Sequence, residues 1–271
     1  MRGSRARSAT SQEPHSRYTA ARSNIDGVVT RRRALGGTVV VLLLAGLAGV
    51  GAWYYFFGRT APGAASINQA ANVAASADPT TGTPVSSGSI DGNWTVDTSI
   101  GSFSDYSSSW AGFRVNEVLD NIGDSTAIGR TPNVSGSLTL DGQTLTATSI
   151  NVDLTTITSD QPRRDPAIQR TLETSTYPTA TFVLTQPVNL PQMPADGVTY
   201  DVTATGNLTI HGVTKLVSVD LQAQLQNGLI VVVGSTPFNF ADYGMTPPRA
   251  PIVLSVDDHG TIEFQLFFAK A

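Results

Sequence analysis

The chain has 271 residues, no Cys, and only 14% charged side chains. Without Cys there is no disulfide scaffold, no thiolate metal site and no Cys nucleophile. The formal net charge of −4 is unevenly placed: residues 1–33 hold eight Arg against two acids, while the remainder holds nine basic and 19 acidic side chains. An acidic body offers no face for phosphate backbones, so nucleic acid is excluded as its partner.

Residues 1–33 are rich in Arg and Ser and show no apolar period, which predicts a disordered basic cytoplasmic tail. A sharper reading is contact with anionic lipid of the inner leaflet. From Ala34 to Gly58 there are 25 residues without a charge. About 20 apolar residues span a bilayer. Arg31, Arg32 and Arg33 precede the run, and Trp53, Tyr54 and Tyr55 sit at its far end, where aromatic rings suit the interface. The expected arrangement is a single-pass cell-membrane protein, anchored through residues 34–58, with an extracytoplasmic C-terminal domain. A cleaved signal peptide is the competing reading, with small residues at Ala61–Ser66 as a late cleavage region. The uncleaved anchor is favoured because the run exceeds an ordinary signal core. Residues 59–90 have the composition of a flexible linker. The folded domain is expected over residues 91–271.

That domain reads as all-β. Val217, Val219, Leu221, Ala223 and Leu225 alternate with polar residues, the period of a strand with one dry face. The same period recurs at Ala111-Phe113-Val115, Ile150-Val152-Leu154, Ala180-Phe182-Leu184, Val202-Ala204-Gly206-Leu208-Ile210 and Ile262-Phe264-Leu266-Phe268. Asp141-Gly142 and Asn227-Gly228 are hairpin-turn dipeptides. Roughly eight hairpin-linked strands favour an antiparallel sandwich or barrel. One short helix is expected at Asp165, with Asp165 as N-cap, Pro166 first in the helix, and Ile168 and Leu172 on one face.

Catalytic signals are sparse. There is no Gly-x-Ser-x-Gly elbow, Walker A loop or His-Glu-x-x-His pair. His211 and His259 both sit in expected turns, far apart in sequence, which argues against a zinc site. No cofactor or catalytic residue is assigned.

Four strings carry a family resemblance. Leu208-Thr209-Ile210-His211-Gly212-Val213-Thr214-Lys215 resembles the LTI-x-G-V-T-K signature of the YceI-like family. Arg164-Asp165, Leu172 and Tyr177-Pro178 through Phe182 resemble its RD…L…YP-x-x-x-F stretch. Trp110–Val115 resembles its early F-x-V strand, and Asp242-Tyr243-Gly244-Met245 its late D-F/Y-G-I element. They occur in the family's order. The resemblance implies an extended, lipocalin-like antiparallel β-barrel of about eight strands with a helix near one end. It also implies a non-enzymatic role: enclosing a long isoprenoid, quinone or fatty chain in an apolar lumen, in the periplasm or outside the cell. The family often carries a His shortly after its first strand motif, where this chain has Asn116-Glu117-Val118.

The expected lumen is the apolar face of each strand: Phe113, Val115, Ile150, Val152, Phe182, Leu184, Leu208, Ile210, Phe264 and Leu266. Head-group candidates are Arg164, His211, Thr209 and Thr214. The alternative for Arg164 is pairing with a nearby carboxylate, and for the two Thr, turn geometry. Burying a long chain in a dry tunnel is favourable by about 25 cal/mol per Å². The expected function is therefore a tethered carrier or store for a long apolar lipid, and binding is expected to survive loss of residues 1–90. Two other classes stay open: a filled-barrel adaptor domain, and a lipid hydrolase with His211 at its mouth. A homodimer is also entertained.

Overall fold

The computed structural model describes residues 61–77, 90–249 and 253–271. The expected tail and membrane anchor lie outside the described residues. In chain order the strands are β1 (Gly92–Asp97), β2 (Trp110–Leu119), β3 (Gly123–Thr131), β4 (Val134–Asp141), β5 (Thr144–Asp153) and β6 (Thr158–Ser159). They continue with β7 (Thr179–Leu184), β8 (Val188–Asn189), β9 (Thr199–Ile210), β10 (Val213–Gln226), β11 (Leu229–Asn239), β12 (Val253–Val256) and β13 (His259–Lys270). Two helices accompany them, α1 (Ile67–Ser76) and α2 (Asp165–Thr171).

Eight strands close an antiparallel barrel in the order β1-β4-β5-β7-β9-β10-β11-β13, with β13 returning to β1. β13 is shared along its length. Its last residues pair with β1 and its earlier ones with β2, so β2 and β3 continue the wall beyond the point where β1 stops. The register follows from the period of two and from the turns. His211-Gly212 and Asn227-Gly228 hold φ of 52° and 72°, and 51° and 76°. Two positive φ values in a row make the mirror-image two-residue turn whose twist matches a hairpin. These turns lock β9 to β10 and β10 to β11, so the alternating apolar residues of all three strands share one face.

Inside, two clusters stack along the barrel axis. The lower holds Trp94, Leu138, Leu140, Ile230, Leu266 and Phe268. The upper holds Val115, Leu154, Leu208, Ile210, Phe238 and Tyr243. Helix α2 lies at the upper end, where Gln169 Nε2 donates to the carbonyls of Leu154, Thr155 and Ile157 at 3.3 Å each. Asp165 is not the cap. Arg164 holds the N-cap position without a side-chain capping bond, and Pro166 follows Asp165 inside the helix. A single 3₁₀ turn at Pro162–Arg164 already leads into α2, so the Asp165 carboxylate is free to accept from Ser159 N at 2.8 Å and Ser159 Oγ at 2.6 Å.

The expected linker over residues 59–90 needs correction. Within it α1 forms, with Ile67, Ala70, Ala71 and Ala74 buried on one face. These small side chains read as linker composition, yet Ala is the best helix former and permits close approach. The helix covers an apolar patch on the outside of the barrel, made by Val231, Val233 and Phe267 with Ile100. The run Ile230-Val231-Val232-Val233 breaks the alternation because β11 is dry on both faces. Asn227 Nδ2 then donates to the last carbonyls of α1, Ala74 O at 3.1 Å and Ala77 O at 3.0 Å.

A charged clamp fixes the residues before α1. Arg114 Nη2 donates to Pro62 O at 2.8 Å, and Arg130 Nη2 to Gly63 O at 2.7 Å. Both guanidinium groups converge on Glu263 Oε1, at 3.3 and 2.6 Å. Arg130 is 1% exposed and lies between the rings of Trp110 and Tyr106, at 3.8 and 4.6 Å from their centroids. Burial pushes the Tyr106 phenol up from its usual range, against the opposing Arg130 charge, so the ring stays a neutral π-face. A buried pair broken on one side leaves an uncompensated charge. Glu263→Ala is therefore expected to cost about 3–5 kcal/mol in urea unfolding. Ile67→Ala is expected to cost about 2–4 kcal/mol in the same assay, as for a core residue and unlike a linker position. The boundary for a stable fragment thus falls before Ala61, not at Asp91.

Candidate functional site

The inward faces of the ring strands surround a cavity of about 510 Å³. That is within the usual range for small-molecule sites. It runs from Leu140, Val188 and Tyr200 at the lower end to Ile168 and Leu172 of α2 at the upper end. Its wall is almost wholly aliphatic and aromatic, because every strand turns its dry face inward. At the lower end the polar groups are engaged with their own loop. Tyr200 Oη donates to Met193 O at 3.1 Å and accepts from Ala195 N at 3.1 Å, and Gln224 accepts from Thr199 at 2.9 Å. The upper end differs, with Glu117, Arg163, Arg164 and Arg249 contributing to the lining.

Phe113, Val115, Ile150, Val152, Phe182, Leu208, Ile210, Phe264 and Leu266 all line this cavity. Leu184 does not, contrary to expectation. It is the last residue of β7, and pairing with β5 has already ended at Val183. Only β9 still holds it there, through Gly206. The list drawn from sequence missed Leu221, Ala223 and Val232, and Ile168 and Leu172 of α2. The signal for the first two was present, since they belong to the apolar alternation of β10.

A model of the YceI-like domain matches residues 94–268. The chain belongs to the YceI-like family. A UPF0312 protein of Shewanella sp. (strain MR-4) is 28% identical over 149 residues, which cover 51% of this chain and 74% of that protein. The same holds for a UPF0312 protein of Shewanella sp. (strain ANA-3), at 28% over 149 residues. Among solved structures, the chain is similar to a polyisoprenoid binding domain from Saccharophagus degradans, with a TM-score of 0.47 and 16% identity over 67% of this chain and 99% of that one. It is also similar to Burkholderia cenocepacia BcnA, with a TM-score of 0.43 and 20% identity over 58% of this chain and 95% of that one.

The four head-group candidates of this YceI-like barrel fare differently. Thr209 and Thr214 are cross-strand neighbours whose hydroxyls bond each other at 2.8 Å, away from the cavity wall. His211 is outside the main cavity too. Its Nδ1 lies 3.0 Å from Tyr243 O, and its ring packs at a tilt of 58° against Tyr177 with centroids 4.6 Å apart. A carbonyl only accepts, so Nδ1 carries the proton. Nε2 then faces Glu173 Oε1 at 3.5 Å. His211 does line a polar recess of about 320 Å³ beside the upper end, together with Arg170, Glu173 and Arg249. The recess shares Ala167, Thr171, Met245, Pro248 and Arg249 with the cavity wall. Sequence spacing could not separate the two spaces, because α2 and residues 244–249 form the partition.

Arg164 alone of the four reaches the cavity lining, and it is held by two carboxylates. Its Nη2 bonds Glu117 Oε1, and its Nη1 bonds Asp160 Oδ1 at 3.1 Å. Glu117 is only 6% exposed. Its neighbours on the same face are Val115 and Leu119, so the ion pair is set into an otherwise dry wall. Arg164→Leu should strand the Glu117 carboxylate and cost about 3 kcal/mol in chemical unfolding. Adding Glu117→Leu should recover most of that loss. A double-mutant cycle measures the difference.

Proposed function

We propose that this barrel encloses one long apolar chain of isoprenoid or similar type, for carriage or storage, and that it performs no turnover. The observation that carries the reading is the cavity itself, continuous between the two interior clusters and lined by the dry faces of the strands. Removing the whole length of such a chain from water is favourable at about 25 cal/mol per Å². Membership of the YceI-like family supports it. The Saccharophagus degradans domain is described as polyisoprenoid binding, which agrees with an isoprenoid as the first candidate. A polar head would face the upper end, where arginine side chains enter the lining.

The setting belongs to the same proposal. The uncharged stretch at 34–58, with Arg31–Arg33 before it, supports a single-pass anchor with the barrel on the extracytoplasmic side of the cell membrane. There the barrel would take up a lipid at the bilayer surface, shield its tail and release it nearby. Native mass spectrometry with solvent extraction on the full-length chain from a bacterial host tests the binding. A bound apolar species of discrete mass is expected. A clean apo mass, with no uptake of added solanesol, would overturn the reading in favour of a filled adaptor domain. The double variant Phe113→Asp, Phe182→Asp, still folded by circular dichroism, is expected to lose the bound species.

A further inference from the structure

Six phenylalanines line the cavity, and three of them, Phe113 on β2, Phe182 on β7 and Phe264 on β13, are the nearest neighbours a Cβ would meet at a glycine beside them. Each lies over a glycine of the neighbouring strand. A Cβ at Gly129 would stand 2.5 Å from Phe113 Cε1, one at Gly206 2.4 Å from Phe182 Cζ, and one at Gly234 2.5 Å from Phe264 Cζ. Gly129 is the direct cross-strand partner of Phe113, and Gly234 that of Phe264. Gly206 sits diagonally from Phe182, whose direct partner is Leu208. None of the three glycines holds a positive φ, so backbone conformation does not call for glycine at these positions. At Gly129 the ring alone does, while at Gly206 and Gly234 the ring shares that space with Val183 O and Leu221 Cδ2, each 2.6 Å from the added Cβ.

The three seats lie where the interior clusters meet. Phe264 packs against the lower cluster, Phe113 and Phe182 against the upper, and Val152 against both. A ring seated on a glycine stays close to the wall and leaves the axis clear. A methyl group at the seat would push the ring towards the axis at mid-height.

We infer that the three glycine seats set the bore of the cavity and so gauge how long a chain can thread from one cluster to the other. This rests on the lipid-binding reading and adds to it the residues that select chain length. A short chain fits within one half of the cavity and does not pass the seats. A long chain must pass them.

The test uses the full-length chain, farnesol as the short probe and solanesol as the long one, with binding followed by native mass spectrometry. Gly129→Ala is the cleanest variant, since the three atoms nearest the added Cβ all belong to the Phe113 ring. It is expected to weaken solanesol by at least about tenfold while farnesol changes by less than about twofold, the scale on which one misplaced methylene discriminates in an apolar pocket. Phe113→Leu in the Gly129→Ala background is expected to restore solanesol. Should Gly129→Ala fail to fold, Phe113→Ala alone is the second variant, and it should shift selectivity towards solanesol. Equal losses for both probes, no loss for either, or failure of the rescue would overturn the gauge while leaving lipid binding intact. Wild-type protein that takes up neither probe would overturn both.

Discussion

The structure depends on one constraint: a strand has two faces, and closing eight strands into a ring turns one face of each towards a common space. The alternating sequences make that inner face dry. The two-residue turns at His211-Gly212 and Asn227-Gly228 fix the register, so the dry faces stay aligned from β9 to β11. A slip of one residue would turn every apolar side chain outward. Cavity, helix placement and polar ends all follow from that alignment.

The outer surface obeys a second rule on one side. There β2, β11 and β13 are buried on their outward faces as well, under α1 and the residues before it. Charge enters this layer in pairs, with Arg114 and Arg130 both on Glu263. Arg130 has a carboxylate, a carbonyl and two aromatic faces around it. The inner wall treats its own buried charge in the same way, with Glu117 and Asp160 sharing the Arg164 guanidinium.

The barrel was legible because its signals are local and periodic. Alternation over β9, β10 and β13 and the turn dipeptides between strands define the wall without any long-range information. Nine of the ten residues assigned to the lumen line the cavity for that reason. Leu184 failed at a strand end, where β7 has lost β5 and keeps only β9 beside it. Helix α1 failed for a different reason. Its apolar face is mostly alanine, so it carries little hydrophobic contrast, and its packing partner lies more than 150 residues away on β11 and β13. The unbroken run at Ile230–Val233 was the counterpart signal, yet a strand dry on both faces does not say what covers it. His211 shows the same limit for the site: spacing placed it in a turn near the upper end, but only the fold puts α2 and residues 244–249 between it and the lumen.

The outer layer braces a wall that surrounds a cavity of about 510 Å³. A barrel whose side chains meet on its axis gains close-packed central contacts. This one has its rings held against the wall over glycines, which keeps the axis open and gives up central contacts. The contacts it lacks inside are offset from outside, by the α1 face on Val231, Val233 and Phe267 and by the Arg114–Arg130–Glu263 clamp. Both devices brace β13, the strand that pairs with β11 on one side and with β1 and β2 on the other. Reinforcement thus sits on the strand through which the ring closes and β2 and β3 extend the wall.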